Sequence, residues 1–189
     1  LGRVSRRMWT CGCIESARAG GYGRWPDSTT TRLADLRAVV QRVSRAQVIA
    51  GTDVVGKIGP GLLVFLGVGT DDTPADALRL ARKVCGLRIF EDGDGKMNLD
   101  LASAGCEVLC VSQFTLHADV RRGNRPSFDR AAPGPVAEPL YSAFCAAIES
   151  SGLACKRGRF GAEMAVELVN DGPVTLVIDT ADLDQPRRA

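Results

Sequence analysis

Histidine, aromatic side chains and long apolar runs are all scarce in this chain of 189 residues. The only histidine is His117. A histidine-based zinc site is therefore not expected, and a His-dependent triad would have to use His117 as its base. Aromatic residues amount to 5%, so aliphatic side chains must fill most of the core. The longest apolar run, Leu62–Val68, is far shorter than the roughly 20 residues of a membrane span, which argues against a membrane partner.

A large excess of charge of one sign is also absent. Lys and Arg together number 24, Asp and Glu number 22, and the net charge is +2. This balance does not indicate a protein that binds nucleic acid by charge alone. The content of 45% apolar and 24% charged residues is typical of a globular protein, and the length favours one domain.

Residues 1–35 differ from the rest of the chain. They hold six arginines and three acidic residues, and they show no sustained apolar period of 2 or 3.6. We expect a disordered or non-native N-terminal extension over 1–35. An organelle transit peptide and an extension read upstream of the true start at Leu36 are alternative interpretations. The predicted folded domain covers 36–182, and a loose polar tail is expected over 183–189.

The seven cysteines do not form pairs at metal-ligand spacing. Most of those after residue 35 lie in apolar patterns, so we expect reduced, buried side chains in a cytoplasmic protein. A catalytic thiol would need an activating histidine or a helix N-terminus near a cysteine, and neither is visible. The segment 91–95 resembles part of a calcium loop but lacks the later acidic ligand, which favours a tight turn. We therefore expect no metal and no cofactor.

Hydrophobic periodicity predicts many strands and two helices. One helix is expected after Thr73 as N-cap and Pro74 at the first position, ending at Gly86, and the other covers 133–151. The predicted strands are 37–43, 46–50, 54–58, 62–68, 87–90, 107–114, 156–160, 165–169 and 174–178. This order indicates an α+β fold, a single compact domain of mainly antiparallel sheets packed on each other with two principal helices.

Two segments carry the candidate chemistry. At 112–115, Ser-Gln-Phe-Thr places two hydroxyls and an amide, but no charge, at the end of a predicted strand. Such groups can orient a carbonyl or a ribose, although hydroxyls at a strand end also bond to the backbone. At 170–175, Asn-Asp-Gly-Pro-Val-Thr lies between two predicted strands. Its Gly-Pro step is either an ordinary turn or a cis peptide bond, which proline makes accessible.

Taken together, Ser-Gln-Phe-Thr-Leu at 112–116 and Asn-Asp-Gly-Pro-Val-Thr at 170–175 resemble the motifs of the D-aminoacyl-tRNA deacylases. The stretches 36–43, 123–128 and 158–164 support this resemblance, which covers residues 36 to about 181. It implies a homodimeric hydrolase that releases free tRNA and the D-amino acid from D-aminoacyl-tRNA. It also implies action on glycyl-tRNA and a role in chiral proofreading during translation.

The resemblance further implies the roles of single residues. Gly172 and Pro173 form a cis loop that enters the active site of the other subunit, where the backbone carbonyls exclude L side chains. Arg42 holds the orientation of this loop. The remaining site residues are Ser112, Gln113 and Thr115 as catalytic residues, Phe114 beside the scissile ester, Phe160, Gly161 and Met164 around the terminal adenine, and Asn170 as a further substrate-binding residue.

The chemical step and the function class remain open at this point. Thr115 as a nucleophile would need a base, and His117 shares its face only if the strand continues that far. The preferred alternative is that the ribose 2′-hydroxyl of the substrate helps to activate water. A competing class is a non-catalytic binder of nucleotides or single-stranded nucleic acid. In either class the arginines at 121, 122, 125 and 130 could contact phosphates, or they could form a solvated loop.

Overall fold

The computed structural model describes residues 35–185. The predicted extension before residue 35, including Cys11 and Cys13, and the end of the predicted tail lie outside the described residues. Asp35, which the sequence assigned to the extension, lies with the folded domain. Its side chain is buried, and its backbone N–H donates to the Asp72 carboxylate at 2.6 Å. At the other end, Leu183 packs against the core.

The described chain contains eight strands and two α-helices. The predicted α+β class is confirmed. No helix in this part of the chain combines the length and apolar character needed to cross a membrane. The strands are β1 (Arg37–Ala50), β2 (Asp53–Ile58), β3 (Gly61–Gly67), β4 (Phe90–Glu91), β5 (Met97–Leu99), β6 (Glu107–Ser112), β7 (Cys155–Arg157) and β8 (Ala165–Asp179); the helices are α1 (Pro74–Cys85) and α2 (Gly134–Ser150), with 3-10 turns at Phe114–His117 and Asp182–Asp184.

Strand β1 is the centre of a six-stranded sheet. One of its edges pairs antiparallel with β8 along most of its length, and the other pairs antiparallel with β3 and then with β2. The pairs β3–β6 and β6–β7 are parallel. Gly56 of β2 lies directly against Leu109 of β6 and Arg157 of β7. The six-stranded sheet therefore curls onto itself, whereas the sequence led us to expect mainly antiparallel sheets packed on each other.

The sheet carries an apolar core on each face. Leu62 and Val64 of β3 face Leu80 of α1 and Phe144 of α2. Leu63 belongs to the second core, with Val48 of β1 and Leu109 of β6. Successive side chains of a strand point to opposite faces, so a strand between two cores must be apolar throughout. The strand predicted over 62–68 is therefore buried on both faces.

Local signals located α1 correctly. Thr73 is the N-cap, Pro74 opens the helix and Gly86 is the C-cap, as predicted. The Asp76 carboxylate accepts a hydrogen bond from the Thr73 backbone N–H at 2.9 Å. This contact satisfies a donor that would otherwise lack an intrahelical partner.

Several strand predictions were wrong. The strand predicted over 87–90 is β4 (Phe90–Glu91), the strand predicted over 156–160 is β7 (Cys155–Arg157), and β5 was not predicted. The segments 37–43 and 46–50 form one strand, β1, and the segments 165–169 and 174–178 form one strand, β8. Shifts in the β1–β8 register between Gln41 and Arg45 accommodate the interruption that the sequence pattern shows. The strand predicted over 107–114 ends at Ser112, so Phe114 and Thr115 belong to a 3-10 turn.

Candidate functional site

A cleft of about 400 Å³ opens beside the carboxyl ends of β3 and β6. These strands are parallel, so their carboxyl ends lie at the same edge of the sheet. Leu66, Val68 and Val111 form its apolar floor, and α2 and the loop before β8 contribute the remaining walls. None of the described residues that line the cleft is charged. Its volume lies within the usual range of small-molecule sites.

The segment that begins at Ser112 forms one rim of the cleft. Ser112 is the last residue of β6, and the Gln113 N–H donates to the Leu66 carbonyl at 2.8 Å. The chain then turns, because the Leu116 N–H donates back to the Gln113 carbonyl at 3.2 Å. Ser112, Gln113 and Phe114 all line the cleft, which groups three of the predicted site residues.

Gly67 allows this turn to lie directly on β3. A Cβ atom at Gly67 would be 2.9 Å from the Gln113 carbonyl oxygen and 3.0 Å from the Leu116 Cβ. Such distances are too short for ordinary packing. The position of the rim therefore depends on the absence of a side chain at residue 67.

Thr115 is exposed and does not line the cleft of its own chain. Its hydroxyl oxygen accepts a hydrogen bond from the Gln113 side-chain amide. Because Thr115 lies in the 3-10 turn, the shared strand face that would have brought His117 beside it does not exist. The turn instead directs Thr115 toward the amide of Gln113.

His117 lies at the end of the turn, with a fully buried side chain. It lines a different hollow, together with Arg37 and Arg130. Its Nδ1 is 3.8 Å from the Asp35 Oδ2, and neither ring nitrogen has a hydrogen-bond partner among the described residues. Burial lowers the pKa of the ring. These features do not support His117 as a base for Thr115.

The opposite wall of the cleft holds three further predicted residues. Phe160, Gly161 and Met164 lie in or beside the loop between β7 and β8. Gly161 has a φ of 71°, a left-handed conformation that favours glycine. The Phe160 ring lies 5.8 Å from the Tyr141 ring, centroid to centroid, with a tilt of 47°. This wall therefore offers aromatic and thioether surface to a planar ligand.

Sequence reasoning missed the contribution of α2. Gly134, Ala137 and Tyr141 line the cleft, and the Tyr141 hydroxyl donates to the Cys110 carbonyl at 2.9 Å. The three residues recur at helical spacing, which places them on one face. That spacing was a usable signal for a shared face. It does not indicate that the face borders a cleft, which depends on how α2 packs against β6.

The Gly172–Pro173 peptide bond is cis, and both residues are exposed. They belong to the part of β8 opposite the register shifts of β1, and neither lines the cleft of its own chain. Buried Arg42 holds the preceding residue, with its Nε 2.9 Å from the Asp171 Oδ2 and 3.2 Å from the Asp171 carbonyl oxygen. Arg42 also donates to the Ile89 carbonyl. The predicted site residues thus form two separate groups in one chain.

Asn170 belongs to the second group. Its side-chain oxygen accepts a hydrogen bond from the Gln41 side-chain amide at 3.1 Å, and the same amide is 3.3 Å from the Thr175 hydroxyl. These contacts join the two sides of the Gly-Pro segment to β1. Gln41 was not predicted from the sequence, because its importance depends on the register between β1 and β8.

The five cysteines between residues 35 and 185 form no disulfide. Cys110 and Cys145 are buried, as the apolar pattern predicted, whereas Cys85, Cys106 and Cys155 are only half-buried. Burial raises the pKa of the Cys110 thiol, and hydrogen bonds with Cys110 and Cys155 lower the pKa of Cys145. In the same part of the chain, no three His, Cys, Asp or Glu side chains are grouped so that they could hold a metal ion. None of the five described cysteines lines the cleft.

Comparisons with known proteins agree with the family resemblance. The chain is 60% identical over 145 residues to a D-aminoacyl-tRNA deacylase of Symbiobacterium thermophilum, covering 77% of this chain and 96% of that protein. It is 56% identical over 148 residues to a D-aminoacyl-tRNA deacylase of Thermotoga petrophila, covering 78% of this chain and 99% of that protein.

Solved structures share the fold. A structure described as a c-Myc DNA unwinding element binding protein is 40% identical, with a TM-score of 0.71 over 80% of this chain and 99% of that chain. A probable eukaryotic D-amino acid tRNA deacylase is 18% identical, with a TM-score of 0.67, and shows the fold alone. The sequence profile of the D-Tyr-tRNA(Tyr) deacylases matches residues 39–179, and with these identities it shows that the chain belongs to the D-Tyr-tRNA(Tyr) deacylase family.

Proposed function

We propose that this protein hydrolyses the ester that joins a D-amino acid to tRNA. The observation that carries the proposal is the uncharged cleft rimmed by Ser112, Gln113 and Phe114. An aminoacyl ester is already an activated acyl group, so its hydrolysis depends on a positioned water and a stabilised oxyanion more than on a strong nucleophile. A cleft with hydroxyl and amide groups, but no charged wall, suits that requirement.

In the proposed reaction, a water oxygen attacks the ester carbonyl carbon. The bond from this carbon to the ribose oxygen then breaks, the ribose oxygen takes a proton, and the amino acid leaves with a free carboxyl group. The neighbouring 2′-hydroxyl of the ribose helps to activate the water. Ser112 and Gln113 orient the ester by hydrogen bonds, and Thr115 holds the Gln113 amide. This assignment needs no side-chain base.

The terminal adenosine of tRNA occupies the other side of the cleft in this proposal. Phe160 and Met164 provide surface against which a purine can stack, and the backbone of Gly161 lies at the same wall. Stacking of a base on an aromatic ring contributes roughly 1–3 kcal/mol. The adenosine would thereby bring the ester toward Ser112 and Gln113.

We assign chiral selection to Gly172 and Pro173 of a second copy of the chain. These residues are exposed and absent from the cleft of their own chain, while Arg42 and Asn170 hold their segment firmly to β1. A backbone wall beside the substrate α-carbon excludes an L side chain by contact. Glycine has no side chain to exclude, so glycyl-tRNA is a further substrate.

The surface of β8 suits a homodimer. Among the described strands β8 pairs with β1 alone, which leaves its other edge unpaired. Val169 and Val177 on this strand are 39% and 69% exposed. A long edge strand with exposed apolar side chains favours association with another chain. We place the enzyme in the cytoplasm, where it would act in translation quality control, and assign its activity to the domain 36–182 together with Asp35.

The proposal is tested by the release of labelled amino acid from matched D- and L-aminoacyl-tRNA. We expect rapid release of several D-amino acids and of glycine, with L-alanine retained. Gln113→Ala should slow release on the order of 10²-fold, the usual effect of losing a group that stabilises the transition state. Gln47→Ala removes an exposed amide that contacts Glu167 outside the cleft, and it should release D-amino acids like the unmodified protein.

Binding without hydrolysis would contradict the proposed activity. It would favour a nucleic-acid-binding protein, the class that the description of the 40% identical structure names for that protein. A gel shift of tRNA with no release of amino acid is the corresponding result. Equal release from D- and L-aminoacyl-tRNA would retain the hydrolase and contradict the assignment of chiral selection.

A further inference from the structure

The loop between the 3-10 turn and α2 surrounds a basic hollow that the proposed reaction does not use. Asp119 and Ser127 join the two sides of this loop by backbone hydrogen bonds of 2.7 and 2.9 Å. The hollow opens to solvent and has a volume of about 580 Å³; it is lined by Arg121, Arg122 and Arg125 together with the carboxylates of Asp119 and Asp129. We refer to residues 119–130 as the basic loop. Its closure by backbone contacts gives the arginines a defined position.

The arginines of the basic loop differ in whether they are neutralised. Asp119 accepts hydrogen bonds from the side chain and the backbone N–H of Arg121, and this arginine holds the pKa of Asp119 far below its ordinary value. Arg130 pairs with buried Asp35. No carboxylate within residues 35–185 pairs with Arg122 or Arg125, and both side chains belong to exposed residues. These two arginines are available to an external anion.

An exposed aromatic pair connects the basic loop to the cleft. Phe114 lines the cleft, and its ring meets the Phe128 ring edge to face at a centroid distance of 5.0 Å. Phe114 is 57% exposed and Phe128 is 37% exposed. Phe128 lies three residues after Arg125 in the same loop. A chain that leaves the cleft over these rings would therefore approach the two unpaired arginines.

We propose that the basic loop binds phosphates of the single-stranded 3′ end of the substrate RNA, upstream of the terminal nucleotide. This inference rests on the proposed function. Single-stranded RNA is commonly bound by aromatic rings beside basic side chains, because bases stack while arginines contact the backbone. Phe114 and Phe128 supply the rings, and Arg122 and Arg125 supply the cations. Arg121 and Arg130 support the loop through Asp119 and Asp35.

The test compares Arg122→Ala/Arg125→Ala with Lys96→Ala, which removes an exposed cation from a different hairpin. Three D-aminoacyl substrates are used: the adenosine ester, a short single-stranded RNA that ends in the same adenosine, and whole tRNA. We expect the double variant to raise KM on the order of tenfold for both RNAs and to leave hydrolysis of the adenosine ester unchanged. Lys96→Ala should leave the hydrolysis of all three substrates unchanged.

Salt dependence provides a second measurement that does not need turnover. A lost contact to a single-stranded phosphate lowers the slope of log affinity against log salt concentration by about 0.7, so the double variant should lose about 1.4. Uncharged tRNA serves as the probe. An unchanged slope with unchanged affinity would overturn the inference, as would an effect on whole tRNA but not on the short RNA, which would indicate a duplex contact.

Failure of the proposed function gives a different result. If the unmodified protein releases no amino acid from any of the three substrates, the proposed hydrolysis is wrong. The binding measurement then still decides the inference, because a loss of tRNA affinity in the double variant alone would support a phosphate contact. Failure of the unmodified protein to bind tRNA would overturn it.

Discussion

Thr115 is the residue whose role changes most between the sequence and the structure. Its hydroxyl contacts the Gln113 amide, and His117 is buried in a separate hollow. We expect Thr115→Ala to lower kcat by no more than about tenfold, because a positioning hydroxyl is lost while the attacking water remains. Single-turnover hydrolysis of D-aminoacyl-tRNA measures the effect. Removal of a true catalytic nucleophile would instead lower kcat by a factor of roughly 10⁶.

A substrate analogue completes this prediction. A D-aminoacyl-tRNA that ends in 2′-deoxyadenosine lacks the hydroxyl to which we assign the activation of water, so its hydrolysis should be far slower. Hydrolysis of this analogue at the full rate would remove the proposed role of the 2′-hydroxyl. An acyl group trapped on Thr115 would show covalent catalysis and contradict the proposed mechanism.

Buried His117 should make stability depend on pH. Its folded-state pKa is lowered below the ordinary value of 6.5, first by burial and then by the charges of Arg37 and Arg130. Between the two pKa values the unfolded chain binds more protons, so the contribution to stability is complete above about pH 6.5 and is lost as the pH falls. The difference in unfolding free energy between the unmodified protein and His117→Gln should therefore shrink from pH 7.5 to pH 5.

Asp35 requires a control in this experiment. Burial, followed by the neighbouring Asp179, raises the pKa of Asp35 to about 6. The contribution of Asp35 to stability therefore falls as the pH rises from about 4 to 6, opposite in sign to that of His117. Repeating the comparison in an Asp35→Asn background removes this titration. The assignment to His117 would be contradicted if the difference in unfolding free energy caused by His117→Gln stayed constant or grew toward low pH in this background.

The 3-10 turn Phe114–His117 is the element on which the site most depends. It exists because β6 ends at Ser112 and because Gly67 lets the turn contact the β3 backbone. Gly67→Ala should lower the free energy of unfolding by about 1–3 kcal/mol, as overpacking does. It should also lower kcat/KM on the order of 10²-fold, because the rim of the cleft would be displaced. Denaturant unfolding and the deacylation assay measure the two effects.

Gly59→Ala is the matched control for Gly67→Ala. A Cβ atom at Gly59 would have no neighbour within 4 Å, and its backbone does not adopt a positive φ. We expect the unfolding free energy of Gly59→Ala to stay within about 1 kcal/mol of that of the unmodified protein, and its activity to be retained. An active, stable Gly67→Ala protein would show that the turn tolerates displacement from β3.

At the scale of the whole molecule, the proposed site is divided between two chains. In a purified heterodimer of Gln113→Ala and Gly172→Leu subunits, one site would contain both substitutions and the other would contain neither. We expect about half of the unmodified activity from this heterodimer, although each variant homodimer is nearly inactive. Subunits with different affinity tags allow the mixed species to be isolated and assayed.

Two outcomes would contradict a site shared between subunits. One is a heterodimer as inactive as both homodimers, because each chain would then hold a complete site of its own and each of the two sites would carry one substitution. The other is a monomer, shown by light scattering, that discriminates D- from L-aminoacyl-tRNA. A heterodimer of Gln47→Ala and Gly172→Leu subunits is the control for this experiment, because neither of its chains carries a substitution in the cleft.

The sequence alone determined the elements whose signals are local and the motifs that identify the family. Thr73, Pro74 and Gly86 marked α1 because capping depends on adjacent residues. The continuous apolar run from Leu62 indicated a strand in the core, because such a run is also a property of adjacent residues. The two motifs also identified Ser112, Gln113 and Phe114, which the structure brings to one cleft.

Tertiary structure decided where strands end and which distant residues meet. β6 ends at Ser112, where the chain turns and packs on Gly67 of β3, a contact that no pattern near Gln113 records. The wall from α2, the Gln41–Asn170 contact and the Asp35–Arg130 pair likewise join residues far apart in the chain. Such contacts depend on packing and register, whereas periodicity and capping depend only on neighbours along the sequence.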